Sequence, residues 1–480
     1  MSVKDFKEWK RRIILDIKVP IEEISKLFNY LIEILEKNSR ISYISKSSIN
    51  GNEVLQYRMN IDGRILDIAI KATNEGFEIY YFPYPEESIS EKEYRILDLE
   101  IEEMIRSYFK EGPSLFLVFS PKMDILPKEK EKTIKKIIGS IIFGNFLYLF
   151  MIILLFGIII YQFFEMLTPL ILIALQFTII IFAHKIITYR GEFNITPDNP
   201  TIYITELKMN KEEFNRIIRI HYPKIKIIKK EIYDSTLALG KNLNPEVLCS
   251  IFNKYGITCK PELIRIKAVN VYEIIERLSS KFKFNKIPKI TLVNVLPPNA
   301  AATGISYSKS AILITSGLIA YMDKEEIEAV LAHELSHIKA RDPIVLMSLA
   351  TFEYLTRVYI IWPFISRFGL LFDILYLFFA FTLLFFVAKF LEARADLDAA
   401  IITGNPRALA SSLRKIGLIK YQSLAFELVN VSDWLKWDPH PPLYHRIKVL
   451  NELDISKIKN TMTYAISSCI NAFIKSLKEI

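Results

Sequence analysis

Four long apolar runs limit what this 480-residue chain can fold into. They cover residues 137–161, 166–183, 343–364 and 369–391. A helix needs about 20 apolar residues to cross about 30 Å of hydrocarbon, so the first run is long enough and the second barely is. Inside a bilayer every main-chain N–H and C=O must find its partner within the protein, which leaves helices as the form these runs can take. A hydrophobic fraction of 51% and a mean hydropathy of +0.23 are high for a soluble protein and agree with about four transmembrane helices.

Charge gives the spans a direction. Lys128, Lys130, Lys132, Lys135 and Lys136 crowd before the first run, the link YQFFEMLTP carries no Lys or Arg, and Lys185 and Arg190 follow the second. The positive-inside rule then puts both outer flanks in the cytoplasm and the link outside. The net charge of +9 is spread along the chain with no nucleic-acid motif, which points to a membrane surface and excludes nucleic acid as a partner. Glu353 and Arg357 interrupt the third run at i,i+4 spacing. Each costs about 2.5–3.5 kcal/mol if it faces lipid, so they are expected to pair and face the bundle. The three cysteines, Cys249, Cys259 and Cys469, are odd in number and sparse, which argues against a disulfide framework and fits a reducing compartment. The opening MSVKDFKEWKRR leads into an amphipathic pattern over Phe6–Ile17 rather than a signal peptide.

The chemistry sits in AVLAHELSHIKARD, residues 329–342. His333, Glu334 and His337 follow the pattern H-E-x-x-H, and a helix puts residues four apart on one face, so two imidazoles converge on one point. That point suits Zn²⁺, one per chain, which binds imidazole nitrogen at roughly 2.0–2.1 Å and keeps a position open for water. Zinc lowers the water's pKa to about 7, and Glu334 beside the first ligand can act as the base that takes its proton. The helical setting is supported by Asp323 at the start, lysines at the end and an apolar stripe of Ile327, Val330, Leu331 and Leu335.

A third ligand is needed, and LEARADLDAA, residues 391–400, can supply it. Glu392 and Asp396 are again four apart, so one face could offer Glu392 to the metal while Asp396 holds a ligand histidine from behind. Taken alone, the same acids fit an ordinary helix leaving a membrane segment.

These pieces together resemble the HtpX-like membrane zinc metalloproteases, relatives of the C-a-a-X prenyl proteases. The matching stretches are PNAAATG (298–304), ITSGLIAYMDKEEIEAVLAHELSHIKARD (314–342), LEARADLDAA and HPPLYHRI (440–447), and the resemblance covers roughly residues 272–450. It implies His333, His337 and Glu392 as zinc ligands and Glu334 as base. It also implies a substrate edge strand over Asn299, Ala300, Ala301, Ala302, Thr303 and Gly304, to which a peptide adds by β-pairing. His440 and Arg446 are candidates to stabilise the oxyanion, a role that calls for positioned donors.

The expected architecture is an α+β multidomain integral membrane protein. Residues 1–130 read as a soluble cytoplasmic α+β domain of unknown role, with alternating strands at ISYIS, EVLQYRMNI, RILDIAIKA and FEIYYFP, turns at Asn50-Gly51 and Asp62-Gly63, a helix over Glu91–Phe109, and SLFLVFS closing the unit. Residues 131–188 form a membrane hairpin, 189–270 an inserted, mostly helical subdomain, and 271–480 a mainly helical zincin-like catalytic domain with a small edge-strand sheet and two membrane helices over about 343–391. His221 is taken as a surface or core histidine and His445 as structural. The function expected is a multi-pass endopeptidase with its catalytic and N-terminal domains in the cytoplasm, cleaving membrane or misfolded proteins. The alternatives are a prenyl-protein protease and a non-catalytic membrane adaptor.

Overall fold

The period-two alternation of the N-terminal region folds into a sheet. The computed structural model describes residues 11–15, 21–36, 40–49, 51–61, 64–73, 76–85, 89, 93–94, 97–98, 101–102, 104–105, 114–122, 146–209, 211–217, 222–365, 369–421 and 434–478. Asn50, Asp62, Gly63, the lysines at 128–136, residues 137–145 and His221 lie outside the described residues. The chain divides into two compact units.

In the first unit, β1 (Arg11–Leu15), β2 (Ile41–Ile49), β3 (Asn52–Ile61), β4 (Arg64–Thr73) and β5 (Gly76–Tyr84) form an antiparallel sheet in the order β1-β5-β4-β3-β2. The helix Ile21–Glu36 lays Leu27, Phe28, Leu31 and Leu35 against Tyr57, Ile68, Phe77 and Tyr81, burying one face of each element. The helix expected over Phe6–Ile17 is instead a strand where it is described, Arg11–Leu15, paired with β5. Its β-branched Ile13 and Ile14 suit a sheet edge, and Arg11 and Arg12 find Asp98 and Glu78 there, so tertiary pairing overrides the local pattern.

The second unit holds two smaller sheets. In one, β6 (Ser114–Phe119), β8 (Thr201–Lys208) and β9 (Ile264–Asn270) run antiparallel in the order β6-β8-β9. In the other, β7 (Phe193–Ile195), β10 (Lys289–Val293), β11 (Ala300–Gly304) and β12 (Ser310–Thr315) stand in the order β11-β12-β10-β7. The strand Ser114–Phe119 therefore pairs with β8 rather than closing the N-terminal sheet. The 189–270 region, expected to be mostly helical, contributes strands to both sheets along with the helices Tyr222–Ser235 and Pro245–Lys254. The signal overlooked was local: the alternation at the start of TIYITELK buries Ile202 and Ile204 in the strand.

One further difference is chemical. Cys249 and Cys259 form a disulfide with their Cα atoms 5.1 Å apart, against the expectation of three unpaired cysteines, while Cys469 is free and buried. The return loop is tied to its helix because Asn253 accepts the Cys259 N–H at 2.9 Å and donates to the Cys259 carbonyl, which brings the two sulfurs together. Where about four spans are expected, three stretches of the described residues are long and apolar enough to cross a bilayer: Leu155–Thr188, Asp342–Phe364 and Leu371–Thr403. The first contains parts of both expected hairpin helices, Phe146–Phe164 and Thr168–Arg190, joined by the short turn Glu165–Leu167. Within the second, Arg357 Nε bonds Glu353 Oε1 at 2.9 Å, while Phe352 and Phe364 expose apolar surface.

Three features place the site. The histidine helix, Lys324–Ala340, begins with a capping box in which the Asp323 side chain takes the Glu326 amide and Glu326 Oε2 accepts the Asp323 N–H at 2.8 Å. Ile327, Leu331 and Leu335 bury its inner face against Ile290, Leu292, Ile312 and Ile314 of the sheet. Next, the last apolar run and the acidic motif form one continuous helix, Leu370–Thr403, so Glu392 and Asp396 are carried on the end of an apolar rod. Finally, Gly317 lies so close to the Leu296 carbonyl that any Cβ would collide with it, and its N–H bonds Val295 O at 3.0 Å. That close approach fixes the loop leading into β11.

Candidate metal centre

Three donor atoms from two helices meet at one point. His333 Nε2 and His337 Nε2 are 3.1 Å apart. Glu392 Oε2 lies 3.4 Å from the first and Oε1 3.4 Å from the second. Tetrahedral ligands held at roughly 2.0–2.1 Å from zinc sit about 3.3 Å from one another, so the residues present fit that metal.

The backs of both imidazoles are held by carboxylates. His333 Nδ1 lies 2.9 Å from Asp396 Oδ1 and His337 Nδ1 lies 2.6 Å from Asp342 Oδ2. An ionised carboxylate only accepts, so His337 Nδ1 carries its proton toward Asp342, while His333 Nδ1 approaches Asp396 as an ion-pair contact, and the two Nε2 lone pairs are left at one point. Lone pairs that close require a cation between them, either a proton or a metal ion. The field at this point favours one strongly: burial opposes charge on His333, yet the carboxylates of Asp396 and Glu392 outweigh it and push the imidazole up to about 10.

Around this core runs a lattice of buried charges. Arg446 donates from Nε and Nη2 to the two oxygens of Asp396, both at 2.7 Å, and its Nη2 is 3.7 Å from Glu392 Oε2. Offered by the sequence as an oxyanion donor, Arg446 thus lies behind His333 with its guanidinium engaged on Asp396. His440 Nδ1 approaches Glu392 Oε2 to 2.8 Å, and its side chain is 49% exposed. Arg394 bonds Asp342 Oδ2 at 2.7 Å and reaches Asp398, which accepts the Ser336 hydroxyl at 2.7 Å.

Sequence reasoning missed Asp342 and Arg394. The signal was an unassigned partner for His337 Nδ1 with an acid just past the helix end. What spacing alone does not show is that Arg341 takes a left-handed conformation, φ 59°, which stops the helix and turns Asp342 back toward His337. Replacing Asp342 by Asn removes the charge that holds this imidazole and leaves Arg394 without its buried partner. Zinc affinity of Asp342→Asn is expected to fall about 10–100-fold in a chelator competition titration, and an unchanged affinity would exclude this role.

Glu334 points to the sheet. Its carboxyl takes the Ala302 N–H; burial pushes it above the usual carboxylate range, opposed by His333 and His337. β11 ends the sheet, and because the Asn299 carbonyl accepts the Thr315 N–H, alternation turns the main-chain groups of Ala300 and Ala302 away from β12. The outer edge of β11 therefore faces Glu334.

His445 packs edge-on to Trp434 at 5.2 Å rather than entering the site, and burial, helped by Lys448 and Arg446, pushes it down to about 4. It is neutral in the fold and gains a proton near pH 6.5 when unfolded, so stability rises with pH between about 4 and 6.5 and is lost below. His445→Gln is expected to flatten that rise by on the order of 2–3 kcal/mol in thermal unfolding across the window. Parallel wild-type and variant curves would rule this out.

Comparison with known proteins extends over this same region. A profile of peptidase family M48 matches residues 266–454. The chain is 31% identical over 204 residues to a protein named Protease HtpX homolog from Pelodictyon phaeoclathratiforme, covering 37% of this chain and 69% of that one. It is 34% identical over 170 residues to Protease HtpX homolog 2 of Methanosarcina mazei, covering 31% and 55%. It is 28% identical over 205 residues to Protease HtpX of Legionella pneumophila, covering 40% and 69%. The chain spans little more than half the length of the first curated relatives it matches, and all the matches leave most of this chain's own length unmatched. A histidine pair, a glutamate and their carboxylate supports, carried beside apolar helices and matched over this shared stretch, make the chain a member of the HtpX-like branch of peptidase family M48.

Proposed function

We propose that this chain is a membrane-embedded zinc-dependent endopeptidase with one zinc per chain, held by His333, His337 and Glu392. The observation that carries the reading is the meeting, at one point, of three metal donors, the Glu334 carboxyl and the outward edge of β11. When bound, zinc supplies a Lewis acid that acidifies a water to a pKa of about 7 and polarises the scissile carbonyl. A substrate segment adds to β11 through the main chain of Ala300 and Ala302, displacing the Glu334 carboxyl from the Ala302 N–H and turning its own carbonyl toward the histidines. Glu334 takes the proton of the attacking water and returns it to the leaving amine. His440, half exposed beside Glu392, is the donor free to swing toward the developing oxyanion, whereas Arg446 holds Asp396.

Membrane or misfolded proteins are the proposed substrates. Glu392 comes 22 residues after Leu370, about 33 Å along its helix, so the cut lies where that helix would leave the hydrocarbon. Lys185 and Arg190 support a cytoplasmic face, and cleavage of such substrates there is the membrane-protein quality control proposed.

The activity is tested by elemental analysis and casein cleavage with detergent-purified full-length protein. About one zinc per chain with cleavage, and loss of both in His333→Ala, is the expected result. Zinc binding without cleavage of casein or membrane-protein substrates would falsify the protease reading.

A further inference from the structure

Lys389 is one of the largest fully buried side chains, and no step above uses it. It lies on the long apolar helix one turn before Glu392 and two before Asp396, on the same face as the ligand. A buried ammonium offers three donors and needs acceptors for them. Its acceptors are two main-chain carbonyls, Lys436 O at 2.8 Å and Asp438 O at 2.6 Å.

Those carbonyls belong to the stretch Lys436–His440, KWDPH, followed by Pro441 and Pro442. Three prolines in seven residues have no N–H to give and hold φ near −65°, so this segment has few internal donors of its own for carbonyls at 436 and 438. It is fastened from outside. Trp434 is fully buried against Phe386 and His445. Trp437 packs on Phe378 and Phe381 and donates to the Thr382 hydroxyl at 3.2 Å. His440 ends the segment, its N–H on Asp438 Oδ1 at 2.9 Å and its ring on Glu392. The segment thus runs along one helix from Phe378 to Glu392. The aromatic anchors hold its far end, and the ammonium holds it next to the site.

We infer that Lys389 is a positioning residue that fixes the His440-bearing segment over the metal centre. A ring with half its surface in solvent is not located by its own packing, so its place follows from the main chain that Lys389 holds. The inference rests on the protease reading for its effect on turnover, and on the contacts alone for its effect on the segment.

Both effects are read in full-length protein in detergent. The chain has four tryptophans, and Trp9→Phe with Trp362→Phe leaves Trp434 and Trp437 as reporters. In that background Lys389→Met is expected to red-shift emission and open the buried Trp434 ring to a soluble quencher, with zinc content unchanged. Its kcat is expected to fall about tenfold with KM held, Lys389→Arg to recover part of that loss, and Lys389→Met with His440→Ala to cleave no slower than His440→Ala alone. Lys389→Gln, shorter and uncharged but still a donor, makes the same comparison where Lys389→Met does not fold. Unchanged emission and quenching, or losses that add in the double variant, overturn the inference. An inactive wild type whose emission still shifts in Lys389→Met defeats the protease reading and leaves the tether standing.

Discussion

Glu334→Gln is expected to keep zinc and lose peptide cleavage. In the proposed reading the residue sits beside a ligand but is not one: His333, His337 and Glu392 are placed to supply the three donors, and the Glu334 carboxyl turns to the Ala302 amide at the sheet edge. Glutamine has the same shape, and its carbonyl oxygen still accepts that amide, so fold and ligand geometry are left alone. What disappears is the group able to take a proton, which in general acid–base catalysis contributes about 10²–10⁴ in rate. Burial raising the Glu334 carboxyl makes it a stronger base than an ordinary exposed glutamate, so the upper part of that range is expected. The check is kcat on a quenched peptide, with zinc content and thermal midpoint measured on the same sample. Cleavage within tenfold of wild type rules out Glu334 as the base, and loss of zinc rules out the separation of base from ligands.

The parts of the site that sequence alone reveals are those set by helical spacing. His333 and His337, and Glu392 and Asp396, are each four apart, and a helix brings such pairs to one face whatever the remainder of the chain does. The apolar runs are legible for a similar reason, since length and composition decide whether a helix can cross a bilayer. Partner choice over long distances is different. Arg446 and Asp396 are 50 positions apart, and β6 and β8 lie about 90 apart in sequence, so neither pairing is encoded in a window of neighbouring residues. The strand at Arg11–Leu15 shows the same limit, since a sequence of two arginines and two isoleucines takes whichever form its neighbours can satisfy. Asp342 falls between the two cases. It lies five residues from His337, but the contact depends on a non-glycine residue adopting a left-handed turn, which local spacing does not reveal. Lys389 was hidden by its setting, because a lysine at the end of an apolar run reads as a residue reaching for the membrane surface.

Arg446→Met is expected to lower the thermal midpoint by roughly 10 °C and weaken zinc binding, rather than simply slow turnover. Arg446 and Asp396 are both buried, and their two bonds at 2.7 Å form a closed fork. Removing one member of a buried ion pair strands the other charge, which costs about 3–5 kcal/mol. Asp396 is also what holds His333 Nδ1, so a carboxylate that turns away or takes up a proton frees the imidazole, and zinc affinity is expected to drop about 10–100-fold with it. An oxyanion donor would behave otherwise. Its loss leaves fold and zinc intact and costs about 10²–10³ in kcat, and that outcome would return Arg446 to the catalytic role its sequence position suggests. The pair Arg446→Met with Asp396→Leu separates the two contributions. Replacing both charges removes the stranded carboxylate, so much of the stability returns. Zinc affinity stays low, because nothing then holds the back of His333.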